Sequence, residues 1–336
     1  MSTTDQSSST PNALQVFNEI PENFALKNKI TATAASETWE VFDRVKKKKC
    51  FLKRLKSPST ADILAKFQAN IVHWEQVRES APELPGVFAL GQDDAGIWYI
   101  RDSQEGKSYT ELVRPEKPMR EHEAARRVFA LSGVLIKLHQ SGFFHLNIKP
   151  NNVYSTGLDH GSVVDPDFGR ILDGQIDITP FSQTEFLSPE QRTAGVGEIA
   201  EPADVWSLAA LLAFCLTGLT PDTLDTEQVP EQFRSLITAS MQDSLADRPV
   251  SLAGFRADLE QLVKATRPSS FTAEPEQPAA STTANSAANE ENAVDTASGE
   301  ISSTMPTGVM PPEATCPQCQ TPIKAIADRV CPQCGH

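Results

Sequence analysis

The stretch "HLNIKPNNV", residues 145–153, decides how the rest of the chain is read. It sets a histidine, an apolar residue and an amide ahead of Lys149, and places a second amide, Asn152, five positions after the first, Asn147. A lysine ammonium is a compact point charge suited to phosphate. Amide oxygens can orient a hydroxyl or join the ligand shell of a hard cation. The loop therefore reads as one shaped for phosphate chemistry.

On the N-terminal side lie short β segments, "WEVFDRV" (39–45), "CFLKRL" (50–55) and "GIWYIR" (96–101), interrupted by the helical stretch "TADILAKFQANIVHWEQVRE" (60–79). Beyond Ser108 helices take over. In "EAARRVFALSGVLIKLHQSG" (123–142), Val128, Leu131, Leu135 and Leu138 recur at spacings of three and four, and the pattern stops at Gly142. "DVWSLAALLAFCLTG" (204–218) is apolar nearly all round, as in a helix buried within a large lobe, and "LAGFRADLEQLVKAT" (252–266) is amphipathic. The expected fold class is α+β, with a strand-rich lobe over about 20–102 and a helical lobe over about 103–265.

These strings, in this order, resemble the eukaryotic-type Ser/Thr protein kinase domain over about residues 24–263. "FLKRL" matches the strand whose lysine reaches the nucleotide phosphates, here Lys53; "HLNIKPNNV" matches the catalytic loop, with His145 structural and Lys149 facing the transferred phosphoryl group. "DPDFGR" carries Asp167, Phe168 and Gly169 as the Asp-Phe-Gly segment, and "FLSPEQ" carries Ser188, Pro189 and Glu190 as the Ala-Pro-Glu segment. The resemblance implies that Asp204 of "ADVWSLA" clamps the catalytic-loop backbone and that Arg248 of "LADRP" pairs with Glu190. It also puts the hinge between lobes near Arg101 to Ser103, and implies ATP with Mg²⁺ as ligands of Lys53, Asn152 and Asp167.

Several positions depart from the family pattern. Asn147 stands where an active kinase has its aspartate base, and a neutral amide cannot accept a proton at physiological pH; general-base help is worth about 10²- to 10⁴-fold in rate. Leu146 replaces the common arginine, so Thr179, Ser182 and Thr184 lack their usual receiver after phosphorylation. In "ITATAASETWEV" (30–41), Thr31, Thr33 and Ser36 fall near the three glycine positions of the phosphate-covering loop. The glutamate that should hold Lys53 falls at Asn70, or at Glu75 in a shifted register. The expected function is a pseudokinase-like signalling or regulatory interaction module retaining possible ATP and Mg²⁺ binding. The alternatives are a weak or unconventional Ser/Thr kinase, and a scaffold that binds no nucleotide.

The formal net charge of −14 over 336 residues does not suit nucleic acid or an anionic membrane, which leaves proteins as the expected partners. No secretory signal opens the chain, and no apolar run is long enough for a membrane span, so the expected location is cytoplasmic. Residues 1–19 read as a disordered Ser/Thr-rich segment and 266–314 as a flexible acidic linker, with no Lys or Arg between Pro268 and Thr315. Of six cysteines, Cys50 and Cys215 stand in apolar surroundings. Cys316, Cys319, Cys331 and Cys334 form two Cys-x-x-Cys turns, a pattern suited to tetrahedral zinc, so a zinc ribbon is expected at 315–336 with Zn²⁺ as cofactor.

Overall fold

The computed structural model describes residues 16–33, 36–56, 60–168, 184–193, 200–248, 251–268, 314–315 and 322–323. The chain divides into two compact units, residues 1–267 and 268–336. In the first, a six-stranded sheet is built from β1 (Val16–Phe17), β2 (Phe24–Ala32), β3 (Ser36–Asp43), β4 (Lys48–Leu55), β5 (Val87–Asp93) and β6 (Gly96–Asp102), in the order β1-β5-β6-β4-β3-β2. Between β4 and β5 runs α1 (Ala61–Arg78), started by Thr60, whose hydroxyl accepts the Ile63 N–H at 3.3 Å. Its buried residues Phe67, Ile71, Trp74 and Val77 recur at helical spacing. Trp74 also donates its indole N–H to the Pro85 carbonyl at 2.9 Å, so the ring is buried without an unpaired donor.

The cross-strand register determines what faces the helical lobe. Thr38 pairs with Lys53, Lys53 with Tyr99, and Phe51 with Arg101. Because side chains alternate across a strand, Phe51, Lys53, Tyr99 and Arg101 share one face of the sheet. Val41, Cys50, Leu52, Trp98 and Ile100 occupy the other, where they form their own apolar cluster.

The start of the chain departs from the expected disorder over 1–19. Val16 and Phe17 add a parallel edge strand to β5, and the Phe17 ring stacks on Trp98 with centroids 6.5 Å apart. The Ser/Thr-rich composition ends before this apolar pair, which has a hydrophobic sheet edge to cover. Gly91 makes the approach feasible, because a Cβ there would fall 2.3 Å from the Phe17 carbonyl oxygen.

The helical lobe begins with β7 (Lys107–Ser108) and α2 (Tyr109–Leu112) and is built around α3 (Glu121–Gln140). A small sheet of β7, β8 (Val153–Ser155) and β9 (Gly161–Val163) carries the catalytic-loop region, followed by α4 (Pro189–Arg192), α5 (Glu201–Thr217), α6 (Glu231–Ser240) and α7 (Leu252–Ala265). Every residue of α5 from Ala203 to Leu216 is buried, the unbroken apolar run Leu208–Leu216 together with the polar Asp204 and Ser207 near its start. The helix ends at Gly218 with φ 74°, where a Cβ would meet the Pro115 Cα at 2.6 Å. Among the described residues no helix is long and apolar enough to cross a membrane.

In the second unit only a two-residue antiparallel pairing is described, β10 (Ala314–Thr315) with β11 (Pro322–Ile323). The expected zinc ribbon is corrected here. No group of three or more His, Cys, Asp or Glu side chains that could hold a metal ion occurs among the described residues. Cys316, Cys319, Cys331 and Cys334 lie outside those residues. Sequence spacing alone does not bring four sulfurs to one point, and the coordination that distinguishes a ribbon from a cysteine-bearing tail is a tertiary property. Among the described residues the fold is a two-lobed α/β architecture, a strand-rich lobe followed by a helical one, with no metal-binding group to support the expected ribbon or Zn²⁺ as a cofactor.

Candidate nucleotide and phosphotransfer site

The loop at 145–153 is held from below by α5. Asp204, fully buried near the start of that helix, accepts the backbone N–H groups of His145 and Leu146, each at 2.7 Å, and His139 Nε2 lies 2.8 Å from the same carboxylate. Leu146 adopts φ 56°, a left-handed conformation that costs a branched residue on the order of 1–3 kcal/mol. Three contacts oppose that strain: the bond to Asp204, the Gln191 amide donating to the Leu146 carbonyl at 2.8 Å, and burial of the leucine side chain. Gln191 belongs to α4, in which Glu190 forms a two-point pair with Arg248 at 2.8 and 2.7 Å.

Within the loop, the Asn147 N–H donates to His145 Nδ1 at 3.3 Å, and its side-chain amide donates to the Asp165 carbonyl at 2.7 Å. The Asn152 amide donates to the Asn147 carbonyl at 3.0 Å. Asn147 Oδ1 is buried and has no hydrogen-bond partner. Burial pushes the His145 imidazole down to about 4, against the carboxylates of Asp204 and Asp165, so it is neutral. Lys149 is depressed to about 7, first by burial and then by the charge of Lys53, with Asp165, Asp167 and Glu185 pulling the other way.

The carboxylate that meets Lys53 is Asp165, not Asp167. Lys53 Nζ lies 3.6 Å from Asp165 Oδ2, Arg101 binds both Asp165 oxygens at 2.6 and 3.2 Å, and Tyr99 donates its hydroxyl at 3.0 Å. Burial raises the Asp165 acid, but the charges of Arg101 and Lys53 and the bonds from Arg101 and Tyr99 outweigh it, holding the group well below the usual carboxylate range. The position comes from the β8–β9 hairpin: Val153 pairs with Val163, so the chain leaves β9 two residues before Asp165, which turns at φ 53°. Reading the motif from its Phe-Gly end selects Asp167, whose own N–H donates to the His145 carbonyl at 3.0 Å.

Neither residue weighed as the helix partner of Lys53 takes that role. The Asn70 amide donates to the Phe168 carbonyl at 2.9 Å, whereas Glu75 binds Arg78 at 2.7 Å and the Val87 N–H at 2.6 Å. Phe168 instead joins the lobes, packing edge-on against Phe67, Trp74, Tyr99 and Phe143 with centroids 5.4 to 6.2 Å apart. At the tip of β2 and β3, Thr33 and Ser36 close a hairpin through a 2.8 Å backbone bond and a 3.0 Å bond from the Ser36 N–H to the Thr33 hydroxyl. Neither Thr31 nor Thr33 takes the positive φ that glycine would allow. Gly169, Thr179 and Ser182 lie outside the described residues.

Asp165 was missed because nothing local distinguishes it from Asp167. The available signal was "DPD" itself, two carboxylates around a proline that cannot continue the strand. Arg101, Tyr99 and Phe51 were missed because their side-chain direction depends on strand register. For a hard cation, Asp167 and Asn152 supply oxygen donors of the right type, while both Asp165 oxygens are engaged by Arg101, Lys53 and Tyr99.

The family model for the protein kinase domain matches residues 24–267. The chain is 28% identical over 207 residues to the serine/threonine-protein kinase PknL of Mycobacterium tuberculosis, covering 54% of this chain and 51% of that protein. It is 25% identical over 228 residues to the serine/threonine-protein kinase pkn3 of Myxococcus xanthus, covering 56% and 41%. It is 26% identical over 148 residues to the serine/threonine-protein kinase PrkC of Bacillus subtilis, covering 42% and 22%. The chain thus spans about half the length of the Mycobacterium relative and less of the other two. The expected recognition, a kinase domain with degenerate motifs followed by a zinc ribbon, is corrected to a protein kinase domain matched through both lobes, with relatives that are named as kinases. A changed side chain within one loop is a local difference that leaves the rest of the domain's match intact.

Proposed function

The chain belongs to the protein kinase domain family, and from that premise we propose that it is a slow Ser/Thr protein kinase, transferring the γ-phosphate of ATP to protein hydroxyls. The observation that carries this reading is Asn147 Oδ1, a buried acceptor without a partner at the centre of the loop. A substrate hydroxyl donating to that oxygen is oriented without being deprotonated. Phosphoryl transfer runs through a loose transition state that depends mainly on positioning and charge, so an orienting amide supports a reduced rate. The hydroxyl oxygen forms the new bond to phosphorus, the bond to the bridging oxygen of ATP breaks, and the hydroxyl proton leaves with the transferred phosphate or to solvent.

Lys53 and Lys149 are the cations assigned to the phosphates. Asp167 and Asn152 are assigned to Mg²⁺, which when bound neutralises charge on the transferring group. His145, Phe168, Gly169, Glu190, Asp204 and Arg248 are assigned to holding the loop and lobes in place. Protein partners are the substrates in this reading. The cytoplasm, where ATP is abundant and the buried free thiols of Cys50 and Cys215 stay reduced, is the proposed location.

A second reading, an interaction module that binds partners without transfer, is favoured by the same Asn147, since the amide supplies no base. A radiolabelled transfer assay on a basic protein substrate separates the two. Transfer that disappears in Asp167→Ala supports the kinase, and its complete absence from the wild-type protein over hours sinks it.

A further inference from the structure

Two consecutive peptide units carry the backbone into Asn147, and each is held at both ends. In the unit between His145 and Leu146, the carbonyl accepts the Asp167 N–H at 3.0 Å and the N–H donates to Asp204 at 2.7 Å. In the unit between Leu146 and Asn147, the N–H donates to His145 Nδ1 at 3.3 Å and the carbonyl accepts the Gln191 amide at 2.8 Å. This second unit sets the direction in which the Asn147 side chain leaves the backbone, and the bond from Gln191 ties it to another element, α4. Asn147 spends its amide nitrogen on the Asp165 carbonyl at 2.7 Å, which leaves Oδ1 as the atom to meet a hydroxyl.

Gln191 is itself fully buried and held in one orientation. Its Oε1 accepts the Ser188 N–H at 3.1 Å and lies 3.2 Å from the Ser188 hydroxyl, closing the capping box at the start of α4. Because the Ser188 N–H only donates and the Leu146 carbonyl only accepts, the amide cannot be turned end for end. A glutamate at this third helical position would cap Ser188 equally well. An ionised carboxylate, however, has no proton for the Leu146 carbonyl and would repel it. The amide is matched to the loop as well as to the cap.

We propose that Gln191 is a positioning residue for phosphoryl transfer: by holding the Leu146 carbonyl it aims Asn147 Oδ1 at the substrate hydroxyl. The proposal rests on the slow-kinase reading above and deepens it. The side-chain hydrogen bonds of Gln191 go to Ser188 and Leu146 and to none of the groups assigned to ATP and Mg²⁺. Its loss therefore acts on turnover and leaves nucleotide affinity in place. A misplacement of about 1 Å at a reacting group costs about 10²-fold in rate, so a peptide unit released at one end is enough to matter.

The test compares the full wild-type chain with Gln191→Met, Asn147→Ala and the double variant in the radiolabelled transfer assay with Mg²⁺ and ATP. Gln191→Met is expected to lower kcat by about ten- to a hundredfold and to keep the KM for ATP within about twofold of wild type. Because Gln191 acts through Asn147, the double variant is expected to be no slower than Asn147→Ala. A kcat for Gln191→Met within about twofold of wild type overturns the proposal, and so does a double variant slowed by the product of the two single effects. If wild type transfers no phosphate, the kinase reading fails, and hydrogen exchange decides the positioning. An Asn147 N–H that exchanges about tenfold faster in Gln191→Met, with the α5 amides unchanged, upholds it. An equal change at both places, or none at either, overturns it. The same measurement decides where Asn147→Ala is itself too slow to follow. Should Gln191→Met not fold, Gln191→Glu, which keeps an acceptor for Ser188, takes its place with the same outcomes.

Discussion

Asp204 Oδ1 accepts the Leu146 N–H at 2.7 Å, tying the first turn of α5 to the one loop residue held at positive φ in front of Asn147. Because the other carboxylate oxygen takes the His145 N–H, a single buried side chain supports two consecutive peptide groups. Hydrogen bonds to a charged group are worth about 1.5–3 kcal/mol each. Asp204→Ala is expected to cost about 3 kcal/mol or more in urea denaturation and to accelerate amide exchange at residues 145 and 146. A loss under about 0.5 kcal/mol, the scale of an ordinary surface substitution, would show that the loop keeps its shape without the clamp.

Glu190 and Arg248 form an ion pair in the helical lobe with both side chains almost wholly buried. Removing one member leaves the other charge without its partner, at a cost of about 3–5 kcal/mol. Arg248→Ala is therefore expected to destabilise by that amount. The double variant Glu190→Gln with Arg248→Met, which leaves no buried charge, should recover much of the loss. A double variant as unstable as Arg248→Ala would place the cost in lost packing.

Restoring a carboxylate at position 147 tests the catalytic reading directly. Asn147→Asp supplies a proton acceptor worth about 10²- to 10⁴-fold in rate. It also places a carboxylate oxygen against the Asp165 carbonyl, where an amide now donates at 2.7 Å. The lower end, about a hundredfold gain in transfer, is expected. No gain in a variant that melts like wild type would move the limiting defect away from this residue.

His145 makes stability depend on pH. Its folded value near 4 lies below its ordinary value of 6.5. The unfolded chain therefore binds a proton that the folded chain refuses. The neutral-histidine contribution is fully present above pH 6.5, falls as pH drops through that value and is gone below about 4, amounting to about 3 kcal/mol. Asp165, held below the usual carboxylate range, acts in the same direction at lower pH. Denaturation midpoints should fall steadily in wild type from about pH 6.5 down to 4, and the slope above pH 5 should flatten in His145→Gln. An unchanged slope would reassign the acid sensitivity to the carboxylates.

The sequence by itself determined the elements and the identity of the chemistry. The three- and four-residue spacing in α3 and the uninterrupted apolar run of α5 follow from local periodicity, and burial follows from them. The amide at 147, the lysines at 53 and 149 and the carboxylate at 204 are what they are in any conformation. The edge strand at Val16–Phe17 was hidden by the Ser/Thr-rich residues before it, and its partner β5 lies more than seventy residues away.

Only the tertiary structure decided which groups meet. Asp165 and Asp167 are equivalent in a string, and the β8–β9 register put Asp165 beside Lys53. Asn70 and Glu75 both offered themselves to Lys53, and the packing of α1 sent one to Phe168 and the other to Arg78 and Val87. Arg101 read as a hinge residue until the alternation of β6 turned it toward Asp165. Side-chain partners separated by tens of residues depend on strand register and helix rotation, which are set by burial across the whole lobe and leave no mark in a local window.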